Sequence, residues 1–464
     1  MDSPLLLLFH SQRSLSLIPL LLVHRMDAHH QFDGMPPHKR AKNEEETSVE
    51  SEVDRISDLP EGVLHHLLSL MPAHDAVRTC VLAQRWRHLW RSAPAIHFTN
   101  CKGFSSDDRF NQFVDCVLLL RRHGAPLEKC YFEILLDNSL SDDAQRHLSL
   151  WIWHALRLQV RVLRFCPDTE DYIRLPERPL FSQHLTRLYL ISVTTNDSVL
   201  DFGGCPALVY LRMVDCDISS EKFSSSSLKH LRMSCCLFHN YSRTRMSLPN
   251  LVSLKLDHFV GRTPFLESMP SLVTAIVKIG YYSSDRCENG GSDDCGDNEC
   301  EGCRYYYGSE DDRRQCVILR ALSQATALDL STDTDALVFK MDLKWCPTFS
   351  KLKSLVLDNS FVTDDFGALI WFLRHSPNLE KLTLEISGVH KISAGTEGRY
   401  DPFEQSLASD HLELVVIKCR EVDGMVLTVL KILNVSGIPL SKIHINKRSS
   451  SDCFNFVCTD FSSK

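Results

Sequence analysis

No stretch of the 464 residues supplies the roughly 18 consecutive apolar positions that a membrane-crossing helix needs. The nearest runs, Leu5 to Phe9 and Leu15 to Val23, flank His10, Gln12 and Arg13 and are interrupted by Pro4 and Pro19. The opening Met1-Asp2 also lacks the positive charge of a secretory leader, so none is expected, and Met26 offers an alternative start. An excess of positive charge is missing as well: 59 acidic against 51 basic residues give a net charge of -8 and a pI near 6.2. That balance counts against a dedicated nucleic-acid surface. Catalytic signatures are absent too, with no phosphate-binding glycine loop, HExxH, GxSxG or nucleophilic Cys with a positioned His. Catalysis and a bound cofactor are therefore not expected. The 18 cysteines are scattered from Cys80 to Cys458 in a chain too long to need stapling, which favours reduced thiols.

With hydrophobic residues at 44% and charged residues at 24%, the composition is that of a folded soluble chain. Residues 1–53 are the exception. From Asp27 to Ser51 the chain is polar, with a basic run His38-Lys39-Arg40-Ala41-Lys42 followed by Glu44, Glu45, Glu46 and Glu50. This reads as a disordered lead-in whose basic run would suit nuclear import, consistent with residence in nucleus and/or cytoplasm.

Order is expected to begin at Asp54-Arg55-Ile56-Ser57-Asp58-Leu59-Pro60-Glu61. Asp58 and Glu61 have the spacing of a capping box, and Pro60 suits a first helical turn. The helix should stop before Pro72, since a residue preceding proline disfavours the helical conformation. Val63, Leu64, Leu67, Leu68 and Met71 recur at helical spacing. Asp75 can cap a second helix through Ala76, Val77, Cys80, Val81 and Leu82, and a third short segment carries Trp86, Leu89 and Trp90. About 40 residues cannot bury so much apolar surface alone.

The blocks Asp54–Pro60, Ala76-Val77-Arg78-Thr79-Cys80-Val81-Leu82 and Arg85-Trp86-Arg87-His88-Leu89-Trp90 resemble the F-box of plant F-box proteins, over the whole module 54–96. The one departure is Gln84, where plant members usually carry a basic residue. The resemblance implies docking onto a Skp-type adaptor and, through it, a cullin-RING ubiquitin ligase. The expected adaptor surface comprises Leu59, Pro60, Val63, Leu64, Leu67, Leu68, Val77, Val81, Leu82, Trp86, Leu89 and Trp90.

Over 125–420 a pattern of apolar, two variable, apolar, variable, apolar recurs. It reads Leu185-Leu188-Leu190, Leu208-Leu211-Met213, Leu228-Leu231-Met233, Leu251-Leu254-Leu256 and Leu272-Ala275-Val277, with starts 20 to 23 residues apart. That period lies in the leucine-rich-repeat range. Looser copies are Ala325-Leu328-Leu330, Leu352-Leu355-Leu357, Leu379-Leu382-Leu384 and Leu412-Val415-Ile417, and earlier ones Leu127-Cys130-Phe132 and Val160-Leu163-Phe165. Each copy predicts a strand with its apolar residues in a shared core, so stacking is obligatory. The irregular lengths are similar to the degenerate repeats of plant F-box/leucine-rich-repeat proteins. The fold class expected is an α/β solenoid, a leucine-rich-repeat array preceded by a small three-helix F-box module.

Stacked strands place equivalent residues in columns about 4.8 Å apart. One column reads Tyr189, Arg212, Arg232, Lys255, Ile276, Asp329, Val356, Thr383 and Val416. Its cations, with Arg187 and His230 beside them, form a candidate site for an acidic or phosphorylated protein client. Between Val277 and Ala325 the period breaks at an acidic, glycine-rich insertion, 281–316, holding Cys287, Cys295, Cys300, Cys303 and Cys316. Cys300 and Cys303 have chelating spacing, but a second CxxC is missing, so the expectation is no metal and a solvated loop whose residues 283–312 are dispensable for folding. Residues 421–464 are expected to cap the array, and bear a partial resemblance to the FBD module of plant F-box families.

The function implied is substrate recognition for a Skp-cullin-F-box ubiquitin ligase. The alternative is a leucine-rich-repeat scaffold that binds a partner without ubiquitin chemistry, its F-box vestigial.

Overall fold

The computed structural model describes residues 56, 58–99, 104, 106–122, 124–134, 142–167, 171–176, 178–195, 199–239, 242–287, 289, 295, 297, 300, 316–332, 337–362, 366–386 and 411–447. These divide into two compact units, 1–192 and 193–464. No described helix is long and apolar enough to cross a membrane.

The first unit begins with the helix Glu61–Leu70. It ends because Met71, ahead of Pro72, is extended at φ -92°, ψ 151°. The expected capping box is not formed. Pro60 occupies the N-cap with no side-chain capping bond, and its carbonyl accepts from the Val63 and Leu64 amides at 2.9 and 3.2 Å. The second helix, Ala73–Arg78, likewise starts behind a proline, Pro72. Asp75 therefore sits inside the first turn, where its charge still favours the helix N-terminus. Two 3-10 segments follow, Thr79–Val81 and Gln84–Ser92.

Strand β1 (Ala95–Thr99), a helix Asp107–Leu119, β2 (Lys129–Glu133), a helix Asp142–Arg157, β3 (Val162–Phe165), the short β4 (Ile173–Arg174) and β5 (Arg187–Ile191) complete the unit. Strands β1, β2, β3 and β5 pair in that order, parallel and in register. Their inward residues form two buried rows, Ile96-Cys130-Leu163-Leu188 and Phe98-Phe132-Phe165-Leu190. Phe98 stacks on Phe132 at 5.1 Å, and Trp151 from the Asp142–Arg157 helix stacks on the same ring at 5.8 Å. Strand β1 is a repeat that the sequence reading passed over, although Ala93-Ile96-Phe98 has the same offsets as every other copy.

In the second unit β6 (Val193–Thr194), β7 (Val199–Asp201), β8 (Tyr210–Val214), β9 (Asp217–Ile218), β10 (Lys222–Ser224), β11 (His230–Ser234), β12 (Leu237–Phe238), β13 (Arg245–Ser247), β14 (Ser253–Gly261), β15 (Phe265–Leu266) and β16 (Thr274–Ser283) arise from the short repeats. The later repeats give β17 (Ala327–Thr332), β18 (Ser354–Asp358), β19 (Lys381–Ile386), β20 (Leu414–Cys419) and β21 (Ile443–Lys447). One parallel stack runs β8-β11-β14-β16-β17-β18-β19-β20-β21, with the leucine-pattern residues as its buried rows.

A second parallel sheet, β7-β10-β13-β15, was not expected. Among the described residues it occurs only in the repeats that are 20 to 23 residues long. The longer repeats return through helices instead: Leu337–Leu343 and Gly367–His375 lie in repeats 27 residues long, and Gly424–Val435 follows β20. Length explains the choice, since a helix advances 1.5 Å per residue against about 3.3 Å for a strand, so a return by helix needs more chain. At the corners after β8 and β11, and at the register shift within β14, the short repeats hold Asp215, Cys235 and His258 at φ 49°, 55° and 51°, a left-handed residue recurring at the repeat period.

The segment after β20 is more than a cap. Leu440-Ile443-Ile445 repeats the offsets once more, and β21 pairs in register with β20. Among the described residues no strand pairs with its other edge, and Leu440 and Ile445 are exposed.

The margins of the acidic insertion depart furthest from expectation. Ser283 closes β16, and Asp285 has no solvent exposure. The Asp285 carboxylate accepts from Arg243 at 2.7 and 3.0 Å, from Arg262 at 3.5 Å and from the Thr263 amide at 2.8 Å. At the other margin the buried Asp342 carboxylate receives the amides of Val317, Ile318 and Leu319 at 2.7 to 2.8 Å. Residues 283–287 are consequently built into the core, and their removal would strand two arginines. Cys303 and most of 288–315 lie outside the described residues.

Candidate functional site

The twelve residues expected to meet an adaptor separate into two sets. Leu64, Leu68, Val77, Trp86, Leu89 and Trp90 are buried and hold the module together. Leu59 is half-buried and Pro60 exposed, while Val63, Leu67, Val81 and Leu82 are 42%, 39%, 57% and 67% exposed. The second set is joined by Ile56 and Leu70, 58% and 64% exposed, which the sequence reading missed. Helical phase was the available signal: residues 63, 67 and 70 share one face, whereas 64 and 68 share the next. The result is an apolar face of eight residues in a module of about 40, at odds with ordinary surface composition.

The module does not stand alone within its unit. The Arg91 Nε donates to the Leu120 carbonyl at 2.6 Å, and the buried Arg121 Nη1 donates to the Trp90 carbonyl at 3.3 Å. Burial pushes the Arg121 guanidinium down to about 10, low for an arginine yet still charged at neutral pH. These bonds join the 3-10 segment Gln84–Ser92 to the end of the Asp107–Leu119 helix. Trp86 and Trp90 thus act as core, while Val63, Leu67, Leu70, Val81 and Leu82 stay exposed.

The proposed client column is in register across the second unit. Arg212, Arg232, Lys255, Ile276, Asp329, Val356, Thr383 and Val416 are direct strand partners, and His444 extends the row. Tyr189 belongs to the first unit, where it aligns with Arg164, Tyr131 and His97 and lies under the Arg164 guanidinium at 5.9 Å; Arg187 aligns with Val162 and Lys129. Thr383 is buried and offers nothing to a client.

Lys255 is also less available than expected. Its Nζ lies 3.0 Å from Asp257 Oδ2, and His258 Nδ1 is 2.6 Å from the other oxygen. Burial by itself would raise the Asp257 pKa, but the bonds from His258 and Lys255 outweigh it and hold the carboxyl at about 2. Farther along, Lys278 faces Asp329 at 3.9 Å and Lys418 faces Glu385 at 3.0 Å. Arg212 and Arg232 are adjacent, and neither has a charge partner among the described residues. His230 lies beside them, its ring 6.4 Å from Tyr210.

Three cysteines of the insertion also meet. The sulfurs of Cys287, Cys295 and Cys300 all lie within 4.8 Å of one another.

A short helical module with an outward apolar face, followed by parallel strand repeats, defines the class, and comparison with known proteins agrees: residues 56–96 match the F-box domain family. Over those residues the chain carries an F-box domain match, and beyond them it is similar to plant F-box/LRR-repeat proteins. An F-box/FBD/LRR-repeat protein of Arabidopsis thaliana is 28% identical over 268 residues, covering 50% of this chain and 62% of the relative. An F-box/LRR-repeat protein of the same plant is 25% identical over 72% of this chain and 69% of its own length. A putative F-box/FBD/LRR-repeat protein, again from Arabidopsis, is 25% identical over 86% of this chain and 84% of its own. The match to the first of these therefore spans less than two thirds of that relative.

Proposed function

We propose that this chain is the non-catalytic substrate-recognition subunit of a Skp-cullin-F-box ubiquitin ligase, acting in nucleus and/or cytoplasm. The observation that carries the reading is the outward apolar face of Ile56, Leu59, Pro60, Val63, Leu67, Leu70, Val81 and Leu82 on a matched F-box domain. A Skp-type adaptor covers that face, and the cullin and RING components supply the chemistry, so this chain works by holding a client near the transfer machinery. The strand repeats of the second unit form a leucine-rich-repeat solenoid that presents the client surface. Affinity purification of the full chain tests the reading. Recovery of both adaptor and cullin supports it, whereas a stable partner recovered without either favours a repeat scaffold with a vestigial F-box.

The client surface is the Arg212-Arg232 pair with His230 alongside, and the ligand chemistry it suits is a carboxylate cluster or a phosphate. Strand neighbours about 4.8 Å apart let one phosphate meet both guanidinium groups. Reversing both charges, Arg212→Glu with Arg232→Glu, is expected to abolish client capture while leaving adaptor recovery unchanged. Capture in the unaltered protein should weaken as salt rises, because the screening length is only about 8 Å at physiological strength. Clients retained by the double variant, or capture indifferent to salt, would place the client site elsewhere.

A further inference from the structure

We propose that Cys287, Cys295 and Cys300 are thiolate ligands of a structural zinc ion that closes the acidic insertion. This site is independent of the adaptor and client surfaces. A Zn–S bond of about 2.3 Å places sulfurs about 3.8 Å apart along the edge of a tetrahedron. The three sulfurs already lie within 4.8 Å of one another, so a contraction of about 1 Å or less completes the coordination distances. A further donor takes the fourth corner.

The surroundings point to a cation rather than to a packed thiol core. Cys130, Cys205 and Cys419 are buried in the strand repeats, where the leucine-pattern rows supply apolar surface around them. Cys287 and Cys300 are also buried, yet the insertion around them is rich in Gly, Asp and Glu, a composition with little apolar surface to bury. Something other than hydrophobic contact must hold these thiols together, and a metal does so. The neighbouring polar groups have the arrangement that supports metal thiolates. The Asn289 side-chain amide donates to Cys295 Sγ at 3.3 Å and to Asp297 Oδ2 at 3.2 Å, and the Cys300 amide donates to the Asp297 carbonyl at 3.2 Å. Such bonds orient a ligand and stabilise its negative charge. The Asp297 carboxylate adds attraction for a dication. Cys287 is also only two residues beyond Asp285, whose buried ion pairs fix the entry of the loop.

Zinc binding releases the thiol protons, so affinity should fall as the solution is acidified. The test is elemental analysis of the full chain purified under reducing conditions. About one zinc per chain is expected. Replacement by cobalt should give intense thiolate-to-metal charge-transfer absorption. Cys295→Ser removes a ligand at the surface, where refolding is least at risk, and should lose the metal, while Cys235→Ser, at an exposed cysteine of a repeat corner, should keep it. Asn289→Ala should weaken zinc binding by about 10-fold. Thiol alkylation mapped on the unaltered protein gives a readout that needs no variant: Cys287, Cys295 and Cys300 should be protected until a chelator is added. Absence of metal from the unaltered protein, its retention in Cys295→Ser, equal loss in Cys235→Ser, or a disulfide among the three in the reduced preparation would each overturn the site.

Discussion

Asp285→Ala is expected to lower the stability of the second unit by about 3–5 kcal/mol, the usual consequence of removing one partner from a buried ion pair. The carboxylate is fully buried and bonded to Arg243, Arg262 and the Thr263 amide, while its own backbone carbonyl receives the Leu337 amide at 2.9 Å. Three other segments, around Arg243, Arg262-Thr263 and Leu337, converge on this residue. Its loss removes the carboxylate that faces the half-buried Arg243 and the buried Arg262. At about 2–4 °C per kcal/mol, the melting temperature should fall by roughly 6–20 °C. A shift under about 2 °C would show that water or another carboxylate takes over the role.

The pH dependence follows from the same geometry. Burial alone would raise the Asp285 pKa, but the Arg243 charge and the bonds from Arg243 and Thr263 outweigh it and hold the carboxyl below its ordinary value. A depressed carboxylate pKa contributes stability that is present above the unfolded value, near 3.9, and is lost as pH falls through the folded value. Unaltered protein should therefore lose stability more steeply than the variant as pH falls below about 4, a comparison that denaturant titrations at each pH can make.

Val81→Asp combined with Leu82→Asp is expected to abolish adaptor binding without unfolding the chain. Both side chains are more than half exposed, so the folded module loses little packing. Across an interface each change removes an apolar contact and buries a carboxylate without a partner. Losses of 2 kcal/mol or more are common at interface centres, so the pair should weaken binding by about 1,000-fold. Calorimetry against the purified adaptor, alongside thermal melting of the variant, checks both halves. Binding within tenfold of the unaltered protein would place the adaptor surface away from this face. Trp86→Ala is the complementary control: Trp86 is 5% exposed, so its truncation should act through stability, costing about 3–5 kcal/mol.

Much of the architecture was written in the sequence because strand repeats obey a local rule. Offsets such as Leu211-Met213 and Leu231-Met233 alternate with period 2, and that alternation decides which side chains enter the core before any neighbour is known. The same regularity extended to Ala93-Ile96-Phe98 and Leu440-Ile443-Ile445, whose end positions disguised them. The three F-box blocks were equally legible, being a specific order of residues in a short span. The chain by itself thus determined the strand positions, their inward faces and the F-box module. Tertiary structure decided which of Val63, Leu64, Leu67 and Leu68 face outward, whether a repeat returns by strand or helix, and that Lys255 spends its charge on Asp257. It also decided that Asp285 joins Arg243 and Arg262, and that Cys287, Cys295 and Cys300 converge despite unremarkable spacing. Those outcomes depend on distances between residues remote in the chain, where burial sets the strength of each charge and no local period records the partner.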